Sequence, residues 1–469
     1  MASILCNLPL ECFDARENFA AEGIEYLSYG PDDRMLVDGV HYPFDVSFDP
    51  SRGSIDDLLE LLPGGFHPDF LLLYWPDQEP LPFELERSPI PVVGVVSDYN
   101  LSFDLTNALA PFFDVLLCDR GGVEIYREFG FADVREFVQF SFKAPSHHVY
   151  PDETRAVDVA FAGNLNPSIH GTRGEFLDRL LTLRERGLDI EVRSGIHGEG
   201  YGRMLSRAKV GFNRSVRGEM NLRAFEIPAC GTALLMESSN REIREFFEPG
   251  EECVLYDDDT FEDTVLELCA HDARRERIAR AGHERVQDYR MSKRILAMLD
   301  LLGEVPTSRR PADPATLAFG RARAMTQTWA EPKERIAELV KARSFAPDDP
   351  RILNDLAVAA LQSGDEGFSQ HVVALLNQSA STSPCYVPAI ANLLWLAEQA
   401  NDAAAAGQAS DLLERRLDDA RDWRDYDGVL LPHTFSPLNL RRCEAMVRAA
   451  RGEPVRSIGE AMRLPVVVE

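Results

Sequence analysis

No two of the eight cysteines stand at C-x-x-C spacing, so neither a structural zinc site nor a thioredoxin-like dithiol is expected. Cys118 and Cys253 fall inside apolar runs (Val115–Cys118 and Cys253–Tyr256) and read as buried thiols of a reducing compartment. Long hydrophobic runs are missing as well, and no apolar stretch is long enough to span a bilayer. The opening residues, MASILCNLPLECFDARENF, lack a basic n-region and reach acidic residues at once, which argues against a signal peptide. A cytoplasmic location is the expectation. Positive charge is scarce: 49 Lys and Arg stand against 77 Asp and Glu, a formal net charge of −28. Such a surface repels phosphate backbones and anionic lipid, so nucleic acid and membranes are not expected partners. The same field opposes any phosphorylated ligand. A site for one would need its own cations or helix N-termini.

What is present is the composition of a folded protein, with 45% hydrophobic and 27% charged residues. At 469 residues the chain is too long for one core, and two or three domains are expected. In the first half, Phe70–Tyr74, Pro91–Val96, Asp114–Cys118 and Phe137–Phe142 read as strands buried on both faces of a parallel sheet. Ser54–Leu62 and Gly122–Phe129 read as helices between them.

A second series begins after His147–Asp152, with strands at Val157–Ala162, Leu188–Val192, Val210–Asn213, Thr232–Met236 and Cys253–Tyr256. Helices are expected at Gly174–Glu185, Tyr201–Ala208, Asn221–Cys230, Thr260–Ala270 and Ala273–Asp288, with Gly231 in the position of a C′ glycine. Two successive βα series predict an α/β protein of two Rossmann-like domains facing a cleft, at 1–150 and 151–302. Residues 303–314, rich in Pro and polar side chains, read as a linker. Residues 315–469 mostly lack strand patterning and read as an α-helical, TPR-like domain. Within it Arg351–Asp365 resembles Pro388–Asp402, and the two end 37 positions apart, near the period of about 34 residues of tetratricopeptide repeats. The second copy has Asn401 where the first has the turn glycine Gly364.

Candidate functional residues gather between Asp158 and Gly231. Gly163-Asn164 ends a strand, and the glycine lets the backbone approach a ligand. Arg173 stands at the start of the next helix, where a guanidinium and free N–H groups together suit a diphosphate. Asn221, Arg223 and Glu226 lie in GEMNLRAFEIPACGTALL (218–235). Glu226 follows Arg223 by three positions, on the same helical face, in an apolar setting where a carboxylate needs a partner. Such a carboxylate suits the paired hydroxyls of a ribose. Asp257–Asp259 and Asp425–Asp427 spell Asp-x-Asp, but the first reads as a turn and N-cap and the second lies far from either α/β series. No metal ligand is expected. A catalytic base should come from the carboxyl end of a strand in the first domain. Asp98, closely following PVVGVV, is the first choice and Asp119 the second; His147 and His148 lie near the hinge, within reach of the cleft, but read as surface histidines.

The run DVAFAGN (158–164), Arg173, Tyr201, MLSRAKVGFN (204–213), NLRAFEIPACGTALL (221–235), REFFEPGEECVLYDD (244–258) and RIARAGHERV (277–286) is ordered and spaced like a known domain. It resembles the C-terminal domain of bacterial GT-B glycosyltransferases of the spore-maturation-protein and group 1 type, over roughly residues 157–300. The resemblance implies that Glu226 binds the nucleoside ribose and that Gly163, Asn164, Arg173, Asn221 and Arg223 surround the donor diphosphate. It also implies a nucleoside-diphosphate sugar as donor substrate, with no cofactor and no essential metal. Group 1 enzymes often carry two glutamates with seven residues between them; that spacing leads back from Glu226 to Gly218, with Glu219 one position off. The expected activity is sugar transfer to an acceptor hydroxyl, on a protein, a peptide or a surface glycan, with the helical domain presenting the acceptor or a partner. Two other readings use the same residues: a nucleotide-sugar epimerase on this fold, and a non-catalytic nucleotide-binding scaffold.

Overall fold

The structure, a computed structural model, describes residues 2–421 except 32–33, 98, 129, 132, 166–170, 217, 304, 306–312, 328–329 and 383–386, together with 430–431 and 438–439. The first unit holds strands β1 (Ala2–Cys6), β2 (Ile24–Gly30), β3 (Arg34–Val37), β4 (Val40–Pro43), β5 (Val46–Ser47), β6 (Phe70–Tyr74), β7 (Val92–Val95), β8 (Val115–Cys118) and β9 (Val134–Glu136). Seven of them form one sheet in the order β5-β2-β1-β6-β7-β8-β9, with parallel pairing throughout. Every residue of β6, β7 and β8 is buried, as two covered faces require. β3 and β4 form a separate antiparallel hairpin whose turn is Asp38-Gly39, with φ of 53° and 82°. Asp-Gly is a pair that tolerates two positive φ angles in a two-residue turn.

Phe137–Phe142 is not the strand that its apolar letters suggest. The strand lies just before it, at β9, and Phe137, Val138 and Phe142 are buried in irregular chain that leads towards the second unit. Burial explains the composition equally well without a ladder.

The second unit is a five-stranded parallel sheet made of β10 (Val157–Ala162), β11 (Ile190–Arg193), β12 (Ala208–Phe212), β13 (Ala233–Glu237) and β14 (Val254–Tyr256). Its order is β11-β10-β12-β13-β14, so the order reverses between β10 and β12. In open α/β sheets that switch point opens a crevice at the carboxyl ends of the strands. The helix Met291–Leu302 follows this series in the chain yet buries Met291, Ile295, Met298 and Leu302 against one face of the first sheet. Two Rossmann-like units facing a cleft are the GT-B arrangement.

Glu242 ties the units together: it is buried, and its carboxylate accepts from the backbone N–H of Arg120 at 3.0 Å and of Met220 at 2.9 Å. Arg241 pairs with Glu124 at 2.6 Å and Arg290 with Asp14 at 3.2 Å across the same junction.

From Pro314 the described chain is helical up to Arg421: Pro314–Ala324, Pro332–Phe345, Pro350–Gln362, Val372–Thr382, Pro388–Gln399 and Ala403–Arg421 each pack on the next. Four of these begin with proline, which suits a first helical position because its missing N–H has no intrahelical partner there. Gly364 and Asn401, the matched turn positions, both take left-handed backbone, φ 65° and 53°. Asparagine is among the few residues that accept this geometry. Inside the module Arg323, fully buried, pairs with the buried Asp355, and Asn392 donates to Asn354 at 2.9 Å. No helix among the described residues is long and apolar enough to cross a membrane.

Candidate functional site

A cleft of about 500 Å³ opens where the second sheet reverses its order. Gly163, Asn164, Arg173, Asn221, Arg223 and Glu226 all line it. Gly163 and Asn164 follow β10, while Asn213 and Arg214 follow the adjacent β12.

Asn221 caps the helix Leu222–Ala229, its side chain accepting from the N–H of Ala224 at 3.3 Å. Asn221 and Asn213 exchange side-chain hydrogen bonds at 3.0 and 3.2 Å, so the cap is locked to the end of β12. Arg223, two residues further in, lies over the Phe161 ring and donates to the carbonyl of Ala162 at 2.8 Å and to Oδ1 of Asn213 at 3.0 Å. Its guanidinium fills the space where a residue larger than glycine at 163 would carry a Cβ.

Arg173 sits inside the first turn of the helix Gly171–Thr182 rather than before it. It is 5% exposed and donates only to backbone carbonyls, those of Asn164 at 2.9 Å and Arg214 at 3.0 Å. Its Nε is buried without a hydrogen-bond partner. Burial, and next the neighbouring Arg223, bring its pKa down to about 10. Among the described residues neither Arg173 nor Arg223 has a carboxylate within ion-pair distance, so two guanidinium groups converge on the cleft without a direct ion pair.

Glu226, 8% exposed, stands one helical turn beyond Arg223. His147 is buried rather than at the surface: its Nδ1 approaches Glu226 to 3.7 Å, and its ring packs edge-on against Tyr201. The backbone N–H of Lys143 donates to Nδ1 of His147 at 3.2 Å, leaving the ring's proton for the buried, unpartnered Nε2. Burial pulls the His147 pKa below its ordinary value, which keeps the ring neutral. The loop after β12 is tied down by carboxylates: buried Glu237 accepts from the N–H of Ser215 at 2.9 Å, and Glu219 from that of Val216 at 2.9 Å. Glu219 therefore lines the cleft while bracing its own loop.

Other residues named from the sequence lie elsewhere. Asp98 and Asp425–Asp427 fall outside the described residues. Asp119 caps the helix Arg120–Glu128, accepting from the N–H of Gly122 at 2.7 Å. His148 stacks on Tyr150, away from the cleft lining. Asp257 accepts from the Ser238 hydroxyl and Asp258 pairs with Arg214 at 3.0 Å.

The sequence did not single out Asp38 and Lys143, which pair at 2.7 Å and line the same cleft. Asp-Gly at 38–39 is readable as a hairpin turn. Which distant loop the turn meets is not.

Residues 154–300 match the family model described as glycosyl transferase-like. That segment is a glycosyltransferase-like domain. The match covers both sides of the cleft that the second sheet supplies, from before β10 to the helix Met291–Leu302. Among solved structures, the chain is similar to HepE of Anabaena in complex with UDP, at 12% identity and a TM-score of 0.42, covering 64% of this chain and 100% of that one. It is likewise similar to the sucrose-phosphate synthase of Thermosynechococcus elongatus, at 12% identity and TM-score 0.41, covering 64% and 98%. The pneumococcal O-GlcNAc transferase GtfA, in complex with UDP and GlcNAc, matches at 12% identity and TM-score 0.34, and the chain covers 56% of it and 50% of itself. Among curated proteins none matches the chain.

Proposed function

We propose that the cleft of this glycosyltransferase-like domain binds a nucleoside-diphosphate sugar and that the protein passes the sugar to an acceptor hydroxyl. The observation that carries the reading is the pair Arg173 and Arg223, two cations without carboxylate partners on one wall of a cleft in a chain of net charge −28. A diphosphate supplies the anions they lack. As the bond to the sugar breaks, negative charge grows on the leaving diphosphate, and fixed guanidinium groups stabilise that growth without reorganising. Arg173 and Arg223 are held by carbonyl and amide oxygens, so their positions are set before the ligand arrives.

Glu226 is proposed to accept from the ribose hydroxyls, with neutral His147 and Tyr201 bounding the same end of the cleft. Gly163, Asn164 and Asn221 are proposed to meet the diphosphate through backbone and amide groups. The charge is supplied by side chains, so the proposal includes no metal and no cofactor. Asp98, three residues past β7, is the proposed base for the acceptor. A protein or peptide acceptor, in the cytoplasm, is proposed to meet the helical module, whose stacked helices offer an extended surface.

The test is incubation with a panel of nucleoside-diphosphate sugars while free nucleoside diphosphate is assayed. Release with at least one donor is expected. Glu226→Ala should weaken binding of that donor by about 10- to 100-fold, the value of a charge-assisted hydrogen bond of roughly 1.5–3 kcal/mol. Release with none of them, and no thermal shift with any nucleoside diphosphate, would sink the reading.

A further inference from the structure

The chain that joins the two α/β units folds into a closed turn at residues 143–147. The N–H of His147 donates to the carbonyl of Lys143 at 2.7 Å, and the N–H of Lys143 donates back to Nδ1 of His147 at 3.2 Å. The backbone thus fixes the orientation of the imidazole and makes Nδ1 an acceptor while the ring is neutral. His147 is 2% exposed, so the ring has no room to trade this partner for water.

Three other elements meet the same ring. Glu226 comes from the helix Leu222–Ala229, Tyr201 from the helix Gly198–Arg207, and Asp38 from the tip of the β3–β4 hairpin. Nδ1 stands 3.7 Å from Oε1 of Glu226, and the Tyr201 ring lies edge-on with its centroid 5.4 Å away. Asp38 pairs with Lys143 at 2.7 Å, so those two charges offset each other beside the ring. Burial pushes the Tyr201 hydroxyl well up, and it brings no charge. Among the described residues no lysine or arginine comes within ion-pair distance of Glu226. His147 is therefore the base whose charge state decides what Glu226 faces. Burial, Lys143 and His148 hold the proton off the ring, while Glu226 and Asp38 favour it.

A neutral ring leaves the Glu226 carboxylate its charge and does not compete for it, so both hydroxyls of a ribose can donate there. A protonated ring is a buried counter-ion at the same oxygen, and the hydroxyls would have to break an ion pair to bind. We propose that His147 is a positioning residue for the donor: resting on the ribose reading of Glu226, it leaves that carboxylate to the nucleoside while neutral and withdraws it when protonated. Donor affinity then falls on the acidic side of histidine's ordinary value of about 6.5.

Two measurements on the full chain test this. The first needs no ligand: isotope-labelled histidine is titrated by NMR, and the His147 signal is identified by its loss in His147→Gln. In Glu226→Gln the midpoint of the His147 titration should move to lower pH, because the carboxylate that favours the proton is gone. An unmoved midpoint overturns the proposal. The second measures the affinities of UDP-, dTDP-, GDP- and ADP-glucose from about pH 8 to about pH 5, the range in which histidine changes charge. Binding of the probe that is accepted should weaken about fivefold or more at the acid end, as when only about a fifth of the sites remain competent. In His147→Gln the ratio between the two ends should fall below about twofold. A ring that only packs would cost affinity equally at both ends, so parallel profiles for His147→Gln and wild type overturn the proposal. If no probe binds at any pH, the donor reading falls and the proposal with it; if one binds with parallel profiles, the proposal alone falls.

Discussion

A Cβ at Gly163 would stand 2.1 Å from Nη2 of Arg223 and 3.2 Å from the Phe161 ring. The glycine is present because the guanidinium occupies that space. In Gly163→Ala the end of the Arg223 side chain has to shift from its present place. Under the proposed function, nucleoside diphosphate release should fall at least tenfold, with a stability loss of about 1–3 kcal/mol for the overpacked site. Release at the wild-type rate would show that Arg223 is not needed by the donor. At this scale much of the site was legible in the sequence. Arg223 and Glu226 could be named because their apolar surroundings made a solvated face implausible, and Gly163 because it ends a strand. Asp38, Lys143 and His147 reach the cleft from other parts of the chain. The first two gave no signal beyond an Asp-Gly turn and a lone lysine, and His147 only its place near the hinge.

Among elements, legibility followed how strongly each one declares its own burial. β6, β7 and β8 are short unbroken apolar runs, buried throughout, and were readable as strands. β2 carries Glu25 and Ser28 within it, with Glu25 exposed, so its apolar run is interrupted and it did not declare itself. Phe137–Phe142 erred the other way, since apolar letters report burial and burial does not require a ladder. In the helical module the matched turn positions Gly364 and Asn401 were readable, but not the charge pair at its core. Arg323 and Asp355 come from different helices and are both almost fully buried. Burial pushes the Asp355 carboxyl up, and Arg323 beside it pulls the other way. Asp355→Ala leaves a buried guanidinium without its partner, so the module should lose about 3–5 kcal/mol of stability in urea unfolding. A loss under about 1 kcal/mol would mean that Arg323 reaches water or another acceptor.

On the scale of the whole molecule, one buried carboxylate sets how the two α/β units meet. Glu242 accepts from a backbone N–H of each unit, Arg120 and Met220. In Glu242→Ala both donors lose that acceptor, at about 1–3 kcal/mol for each group left unsatisfied. The radius of gyration measured by X-ray scattering should rise as the cleft opens, and nucleoside diphosphate release should fall. Superimposable scattering curves would show that the other pairs across the junction, among them Arg120–Glu245, Arg241–Glu124 and Arg290–Asp14, suffice to hold the units.

The first sheet, finally, is finished by chain that follows it much later. Met291–Leu302 covers one face, and on the other Leu317 and Ala324 of the helix Pro314–Ala324 pack beside Phe112 and Leu109. During synthesis the first sheet leaves the ribosome before either cover has been translated. For that interval both its faces are sticky to whatever lies nearby, including a neighbouring nascent copy. A fragment ending at the hinge would lack both later covers, leaving the apolar side chains beneath them open to water.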